Sequence, residues 1–289
     1  MLIQWFPGHM AKTKRLITEH LKAVDVAVEL LDARIPMSSA NPMVENLVQN
    51  KPRIIVLNKS DLADVKITEK WIEYFKKEDI DVIPVSTYNG KDKKKLINLI
   101  REKAKPVLEK WQRRGLKNRS VRIMILGIPN VGKSTLINFL SGSKATRTAN
   151  TPGHTKGKQW VRLSSGLDLL DTPGVLWPKF EDQNAALKLA ATGAIAGEIF
   201  DSYEVVTTLL AALKEISPQI LKEKYDIEDV NQDTQILLEL IGKRRGCLLP
   251  GGEIDSTRAE ALVLTDFRSG KLGRVTLDMP SSEDKNEYC

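Results

Sequence analysis

The segment that most constrains the fold of this chain is residues 127–135, which have the spacing G-x-x-x-x-G-K-S. An apolar run from Val121 to Leu126 precedes the segment, and a helix-like apolar stretch begins at Leu136. A strand, a glycine-rich loop and a helix in this order are typical of a phosphate-binding loop, because loop N–H groups and the helix N-terminus face the phosphates. The sequence therefore predicts an α/β fold with a nucleotide site. The expected contacts come from Asn130, Val131, Gly132, Lys133, Ser134 and Thr135.

Five residues have expected roles around the phosphates and a magnesium ion. Lys133 would reach the β- and γ-phosphates, and the Ser134 hydroxyl would hold Mg²⁺. Asp171 begins a D-x-x-G segment after a predicted strand, so it would lie near Mg²⁺ through water, while the Gly174 N–H would contact the γ-phosphate. Thr155, in a basic loop rich in Gly, Thr and Pro, is the second expected hydroxyl ligand; the alternative is an ordinary loop hydroxyl. The D-x-x-G segment and the loop that contains Thr155 would both be released when the γ-phosphate leaves.

Base specificity is indicated by the N-K-S-D segment at residues 58–61, which follows a predicted strand over 53–57. Open α/β sheets bind ligands at this end of their strands. The Asp61 carboxylate can accept two hydrogen bonds from N1–H and the 2-amino group of guanine, which adenine lacks, so it would select GTP over ATP. Asn58 would brace the loop, and the Lys59 stem would pack along the base. The expected base contacts are Asn58, Lys59, Ser60, Asp61, Ser86 and Thr87.

The order of these motifs differs from that of most GTPases, in which the phosphate loop comes first and the base motifs come last. Here residues 58–61 and the serine loop at 86–88 precede residues 127–135. The same sheet can still form if residues 105–120, as a helix and linker, join the former termini. The sequence thus predicts a circularly permuted GTPase domain over residues 1–178, with a mostly parallel sheet and helices on both faces.

The rest of the chain is expected to form a small all-α domain at residues 179–280, followed by a tail at 281–289. Pro218 and Gly242 would punctuate its helices, and residues 274–277 could be a short extended piece. The predicted helices are near 184–196, 202–215, 218–225, 231–242 and 256–269.

Charge is distributed unevenly along the chain. Residues 1–178 hold 31 Lys and Arg against 17 Asp and Glu, a net charge of +14, whereas residues 179–289 hold 13 against 20, a net charge of −7. Residues 101–122 carry nine bases and two acids, and residues 144–162 carry five bases and no acid. This pattern suits a polyanionic partner, although solvated helix faces also collect lysine. Residues 243–245 are a candidate RNA contact, with favourable charge at a helix C-terminus as the alternative.

The composition points to a cytoplasmic protein. No run of 18 apolar residues occurs, so we expect no membrane-spanning segment and no membrane partner. The first residues lack the pattern of a signal peptide or an organelle leader. The two cysteines, Cys247 and Cys289, have no spacing for a metal or redox motif, and we expect reduced thiols.

The permuted order and four sequence segments together resemble the bacterial ribosome biogenesis GTPase A family. These segments are W-F-P-G-H-M at 5–10, L-D-A-R at 31–34, P-N-V-G-K-S-T at 129–135 and P-G-H-T at 152–155. The resemblance covers nearly the whole chain. It implies a GTPase that binds the large ribosomal subunit, its rRNA and its proteins late in assembly, and whose activity the subunit stimulates. We expect a monomer.

One departure from ordinary GTPases concerns the attacking water. Val175 follows Gly174, where many GTPases use Gln, and an apolar side chain cannot align water. Similar GTPases with a hydrophobic residue here use K⁺, which Asn130 would hold. The family resemblance implies that His9 orients the water or acts in catalysis; the alternative is a structural histidine. His154 is a lesser candidate.

Two functional hypotheses follow. In the first, Mg²⁺-dependent hydrolysis of GTP gates binding to, and release from, a precursor of the large subunit. In the second, the chain is a GTP-switched RNA-binding module, or acts on another structured RNA, and hydrolysis is incidental.

Overall fold

The computed structural model describes Arg15 and residues 17–48, 51–116, 119–142, 159–163, 166–171, 182–195 and 200–280. These residues divide into two compact units. The first contains those between Trp5 and Lys179 together with residues 278–280, and the second contains those between Phe180 and Leu277.

The first unit is built on a six-stranded sheet in the order β3-β2-β1-β4-β6-β5. Its strands are β1 (Val26–Asp32), β2 (Arg53–Asn58), β3 (Asp81–Val85), β4 (Val121–Gly127), β5 (Gln159–Leu163) and β6 (Leu167–Asp171). The pairs of β1 with β2 and β4, of β2 with β3, and of β4 with β6 are parallel, whereas β5 pairs with β6 as an antiparallel hairpin. The predicted α/β fold with a mostly parallel, permuted sheet is confirmed.

The central strand β1 is buried along its whole length, as expected for a parallel strand that is covered on both faces. Apolar side chains of neighbouring strands form two clusters with the surrounding helices. Ile17 and Leu21 pack with Met124 in one cluster, whereas Trp71 and Phe75 pack in the other. Alternate residues of each strand point to the opposite face of the sheet.

The helices of this unit are α1 (Pro36–Ser39), α2 (Pro42–Val48), α3 (Val65–Lys77), α4 (Gly90–Arg113) and α5 (Lys133–Ser141), and residues 17–21 are also helical. The helix predicted over 91–104 continues through Pro106 to Arg113. Residues 105–120 therefore supply the last turns of α4 and then the connection to β4. None of the helices in the described part of the chain is long and apolar enough to cross a lipid bilayer.

The second unit consists of short helices, which are α6 (Gln183–Thr192), α7 (Ser202–Ile216), α8 (Pro218–Tyr225), α9 (Thr234–Arg244) and α10 (Ser256–Arg268). Four of them begin at an aspartate whose carboxylate accepts a backbone N–H of the first turn, which satisfies a donor that the helix leaves unpaired. These aspartates are Asp182, Asp201, Asp233 and Asp255.

One local expectation for this unit is wrong. Gly242 does not end its helix, because α9 continues to Arg244. A Cβ at Gly242 would lie 2.9 Å from the Ile254 side chain, so close packing explains this glycine. Residues 274–277 belong to no helix or strand, and the expectation of a short extended piece stays a prediction.

The chain returns to the sheet unit at Asp278, which the sequence places in the helical domain. The buried Asp278 carboxylate accepts hydrogen bonds from the Ser38 N–H at 2.7 Å and from the Ser38 hydroxyl at 2.9 Å. The indole N–H of Trp71 donates to the Asp278 carbonyl at 3.0 Å. These bonds join residues more than 200 positions apart and hold α1, which follows directly from the end of β1.

We predict that Asp278→Ala lowers the free energy of unfolding of the sheet unit by about 2 kcal/mol, because the buried Ser38 donors lose a charged acceptor. Asp278→Asn should cost less, since its amide oxygen still accepts one bond. Urea unfolding followed by tryptophan fluorescence measures the change, with the exposed Glu69→Ala as the control. A loss equal to that of the control would contradict the assigned role.

Candidate nucleotide site

The phosphate loop connects the end of β4 to the start of α5, and two glycines give it its shape. Gly127 has φ +154° and Gly132 has φ +103°. A Cβ at Gly127 would lie 2.8 Å from the Leu30 carbonyl oxygen, and one at Gly132 would collide with the Asn58 amide. Asn130 adopts a left-handed conformation with φ 55°, which asparagine tolerates better than most residues. Such a backbone turns successive N–H groups to one side and favours an anion.

Lys133 is buried at the first position of α5, and its ammonium group lies over the loop. The Nζ donates to the carbonyl oxygens of Gly127 at 3.1 Å and Ile128 at 2.8 Å. Ser134 follows in the same first turn and is half-buried, whereas Thr135 is exposed. A helix N-terminus, a lysine and a hydroxyl therefore meet at one place, and all three suit a phosphate with a divalent cation.

The N-K-S-D segment contacts the phosphate loop directly. The Asn58 side-chain amide donates to the Val131 carbonyl oxygen at 2.7 Å, and Lys59 Nζ donates to the Asn130 carbonyl oxygen at 3.0 Å. Lys59 has φ 58°, a conformation that costs energy for a residue other than glycine and is often found at functional sites. Two segments about 70 positions apart in the chain are thus joined into one site.

Lys59 belongs to an ionic cluster with the buried residues Asp32 and Arg34. Asp32, the last residue of β1, accepts hydrogen bonds from Lys59 Nζ at 2.9 Å and from Arg34 Nη2 at 2.8 Å on Oδ2. Its Oδ1 accepts from the Arg34 Nε at 2.9 Å. The sequence motifs predict no role for Asp32 or Arg34. A signal was present, since an acid ends this otherwise mostly apolar strand and an arginine follows two residues later.

Burial and charge oppose one another in this cluster. Burial raises the pKa of the Asp32 carboxyl, but the charges and hydrogen bonds of Arg34 and Lys59 together lower it by more. The pKa therefore lies well below its ordinary value. Burial lowers the pKa of Lys59, and the neighbouring Asp32 limits this decrease. The carboxylate is therefore ionised at neutral pH and holds both cations in place.

The serine loop after β3 adjoins the N-K-S-D segment. The Ser60 N–H donates to the Val85 carbonyl oxygen at 3.2 Å. Asp92, in the first turn of α4, accepts the Ser86 N–H at 3.0 Å and so fixes the loop. Asp61 and Thr87 are half-buried beside these residues and accessible to a ligand.

Several predicted residues lie outside the described part of the chain. His9, Thr155 and Gly174 are among them, as are the lesser candidate His154 and the apolar Val175.

Asp171 ends β6, but its side chain is also outside the described part. Because β6 is parallel to β4, the backbone of Asp171 lies at the same sheet edge as the phosphate loop.

A family model described as "50S ribosome-binding GTPase" matches residues 122–241. Ribosome biogenesis GTPase A from Bacillus licheniformis is 45% identical over 280 residues, which cover 97% of this chain and 99% of that protein. The protein of the same name from Thermotoga maritima is 34% identical over 278 residues, 96% of this chain and 95% of that protein. This chain belongs to the ribosome biogenesis GTPase A family.

Solved structures agree with this assignment. GNP-bound YlqF from T. maritima matches with a TM-score of 0.65 and 31% identity, over 93% of this chain and 99% of that one. A GDP-bound YlqF structure matches with a TM-score of 0.66 and 30% identity, over 92% of this chain and 99% of that one. As a member of the ribosome biogenesis GTPase A family, the chain is a GTP hydrolase that binds guanine nucleotide and takes part in ribosome biogenesis.

We predict that Asp32→Asn destabilises the sheet unit by about 3 kcal/mol at pH 7, because the buried Arg34 would lose the carboxylate with which it forms an ion pair. Since the folded-state pKa of Asp32 is lowered, its contribution is complete above the unfolded-state pKa of about 4 and is lost as the pH falls through the folded value. The difference in unfolding free energy between the wild type and the variant should therefore shrink on acidification.

Urea titrations between pH 7 and pH 3 measure this difference. The exposed Glu73→Gln provides the matched control, and it should change the unfolding free energy little at any pH. A difference for Asp32→Asn that stays constant from pH 7 to pH 3 would show that the Asp32 charge does not stabilise the fold.

Proposed function

We propose that this chain uses Mg²⁺-dependent GTP hydrolysis to gate its binding to, and release from, a precursor of the large ribosomal subunit late in assembly. The observation that carries the proposal is the direct contact of the N-K-S-D segment with the phosphate loop in a ribosome biogenesis GTPase A family member. That contact supports a single site in which Asp61 would select guanine and the loop would bind the phosphates.

In this proposal the base is selected by Asp61, which accepts the N1–H and 2-amino donors of guanine. Lys59, held by Asp32, presents its stem to the base, and Asn58 keeps the loop against Val131. Ser60, Ser86 and Thr87 complete the base contacts through the neighbouring loop.

The phosphates are bound by the loop backbone and by Lys133, whose ammonium group exchanges its carbonyl acceptors for phosphate oxygens. Ser134 and Thr155 would hold Mg²⁺, and Asp171 would act on the ion through water. When bound, the ion would supply positive charge that stabilises the transition state. The Gly174 N–H contacts the γ-phosphate, so its segment and that of Thr155 respond to hydrolysis.

The attacking water requires a further polar group, because Val175 cannot align it. We propose His9 for this role, with K⁺ held near Asn130 as an additional source of positive charge. The left-handed backbone of Asn130 is compatible with a loop that turns toward an ion. His9 acts on the water in this scheme, and Lys133 acts on the phosphoryl group.

The proposed partners are the large ribosomal subunit, its rRNA and its proteins, bound by a cytoplasmic monomer. Relatives of this chain are named for ribosome biogenesis, and the net charge of +14 over residues 1–178 suits an RNA partner. Residues 179–280 are proposed as the second, subunit-contacting domain. The competing proposal is an RNA-binding module in which hydrolysis is incidental. It uses the same nucleotide site, but release of the RNA does not depend on GTP turnover.

The primary test is GTP turnover with and without purified mature large subunits, in KCl and in NaCl. We expect at least about tenfold stimulation by the subunit, equivalent to about 1.4 kcal/mol of barrier, and faster turnover in KCl than in NaCl. Absence of stimulation by either ribosomal subunit would remove the support for a role in assembly. Equal rates in both salts would exclude the K⁺ contribution.

His9→Ala separates the two proposed functions. If His9 acts on the water, turnover should fall by about a hundredfold or more, as for loss of a positioned acid–base group, while GTP-dependent binding to the subunit persists. The exposed Glu69→Ala on α3 is the control and should retain turnover. Undiminished turnover in His9→Ala would contradict the proposed catalytic role.

A further inference from the structure

A basic groove lies at the sheet edge opposite to the nucleotide site. It has a volume of about 620 Å³ and is lined by the segments before β1 and β2, by the end of α4 and by the start of β4. The nucleotide motifs follow the carboxyl ends of the strands, whereas this groove adjoins their amino ends. A seven-residue strand such as β4 separates the two edges by about 20 Å. A ligand in the groove would therefore not compete with the nucleotide.

Positive charge in the groove comes from four separate segments of the chain. The bases are Lys22, Lys51, Lys110, Arg114, Arg119 and Arg122. Asp25 is the acid in the lining, and it is already occupied: it accepts Arg119 Nη1 at 2.9 Å and the Arg122 N–H at 2.8 Å. Lys51 donates only to a neutral acceptor among the described residues, the Val24 carbonyl oxygen. No carboxylate in the described part of the chain pairs with Lys22, Lys110 or Arg114.

An aromatic side chain lies between the arginines of the groove. The guanidinium of Arg119 lies 4.7 Å from the ring centre of Trp111, and that of Arg114 lies 5.6 Å from it. Next to the groove, Arg122 lies 5.5 Å from the ring centre of the exposed Trp160. Planar guanidinium groups held on indole rings offer both charge for phosphates and flat surfaces for bases.

We infer that this groove, centred on Lys110, Arg114 and Trp111, binds the phosphate backbone of ribosomal RNA. The inference rests on the proposed function, since it takes rRNA as the partner, and adds the surface that binds it. RNA fits better than an acidic protein segment, because the groove combines unneutralised bases with arginine–tryptophan stacks, and both features suit a nucleic acid. Solvated lysines on an ordinary helix face would not converge from four segments on one concave surface.

The test is binding of purified large-subunit rRNA to the full chain as a function of salt. In Lys110→Glu/Arg114→Glu, affinity should fall at least about tenfold at 100 mM KCl, because two phosphate contacts are replaced by repulsion. The dependence of log K on log salt should become less steep by about 1.5. GTP turnover without RNA and affinity for GDP should not change, since both residues lie far from the nucleotide site.

Lys94→Glu/Lys95→Glu is the matched control. It makes the same change in charge on exposed positions of the same helix, about 24 Å from Lys110 along the helix axis. Its rRNA affinity should stay within about twofold of the wild type. If the groove variant binds rRNA as tightly as this control, the inference is wrong while the proposed function stands.

Two further outcomes would also overturn the inference. If the groove variant loses affinity for whole subunits but keeps its affinity for naked rRNA, the groove binds a ribosomal protein. If the wild type binds neither rRNA nor subunits, the proposed function itself fails. Binding of wild-type chain and control to rRNA, with specific loss in the groove variant, supports the assignment.

Discussion

The hydrogen bonds from Asn58 and Lys59 to the backbone of the phosphate loop are the interaction on which the rest of the nucleotide site depends. They fix the distance between the part of the site suited to a base and the part suited to phosphates. Lys59 makes its bond from a half-buried position and with a left-handed backbone, and both features cost energy. The site therefore needs a nearby negative charge, and Asp32 provides it.

The position of Asp32 follows from the order of the strands. β1 is the central strand between β2 and β4, so its carboxyl end lies between the two motifs that must be joined. In the sheet register, Asp32 is paired with Asn58, and Leu30 is paired with Gly127. A carboxylate at this point can reach the lysine of the base motif directly. Arg34 also pairs with the Asp32 carboxylate, which would be costly to bury without a positive partner.

The sequence was sufficient to predict the fold class and the parts of the site that are local in the chain. Each motif directly follows a buried apolar strand, and parallel strands bring such positions to one edge. The contact of Asp278 with Ser38 could not be predicted, because it joins residues 240 positions apart and neither residue belongs to a recognisable pattern. The role of Gly242 was misjudged because a glycine late in a helical pattern usually indicates the end of the helix. Here the glycine instead leaves room for the Ile254 side chain. The roles of His9, Thr155 and Gly174 stay predictions.

In the permuted order, α4 connects the serine loop to the strand that precedes the phosphate loop. As part of the segment that joins the former termini, α4 begins beside the serine loop, where Asp92 holds Ser86, and ends at the basic groove with Lys110. A helix of 24 residues spans about 36 Å, enough to reach from one edge of the sheet to the other. The helix is continuous, and its middle is packed through the buried Leu96 and Ile100. A ligand that shifted α4 along its axis at the groove would therefore move Asp92 as well, and with it the serine loop that Asp92 holds through Ser86.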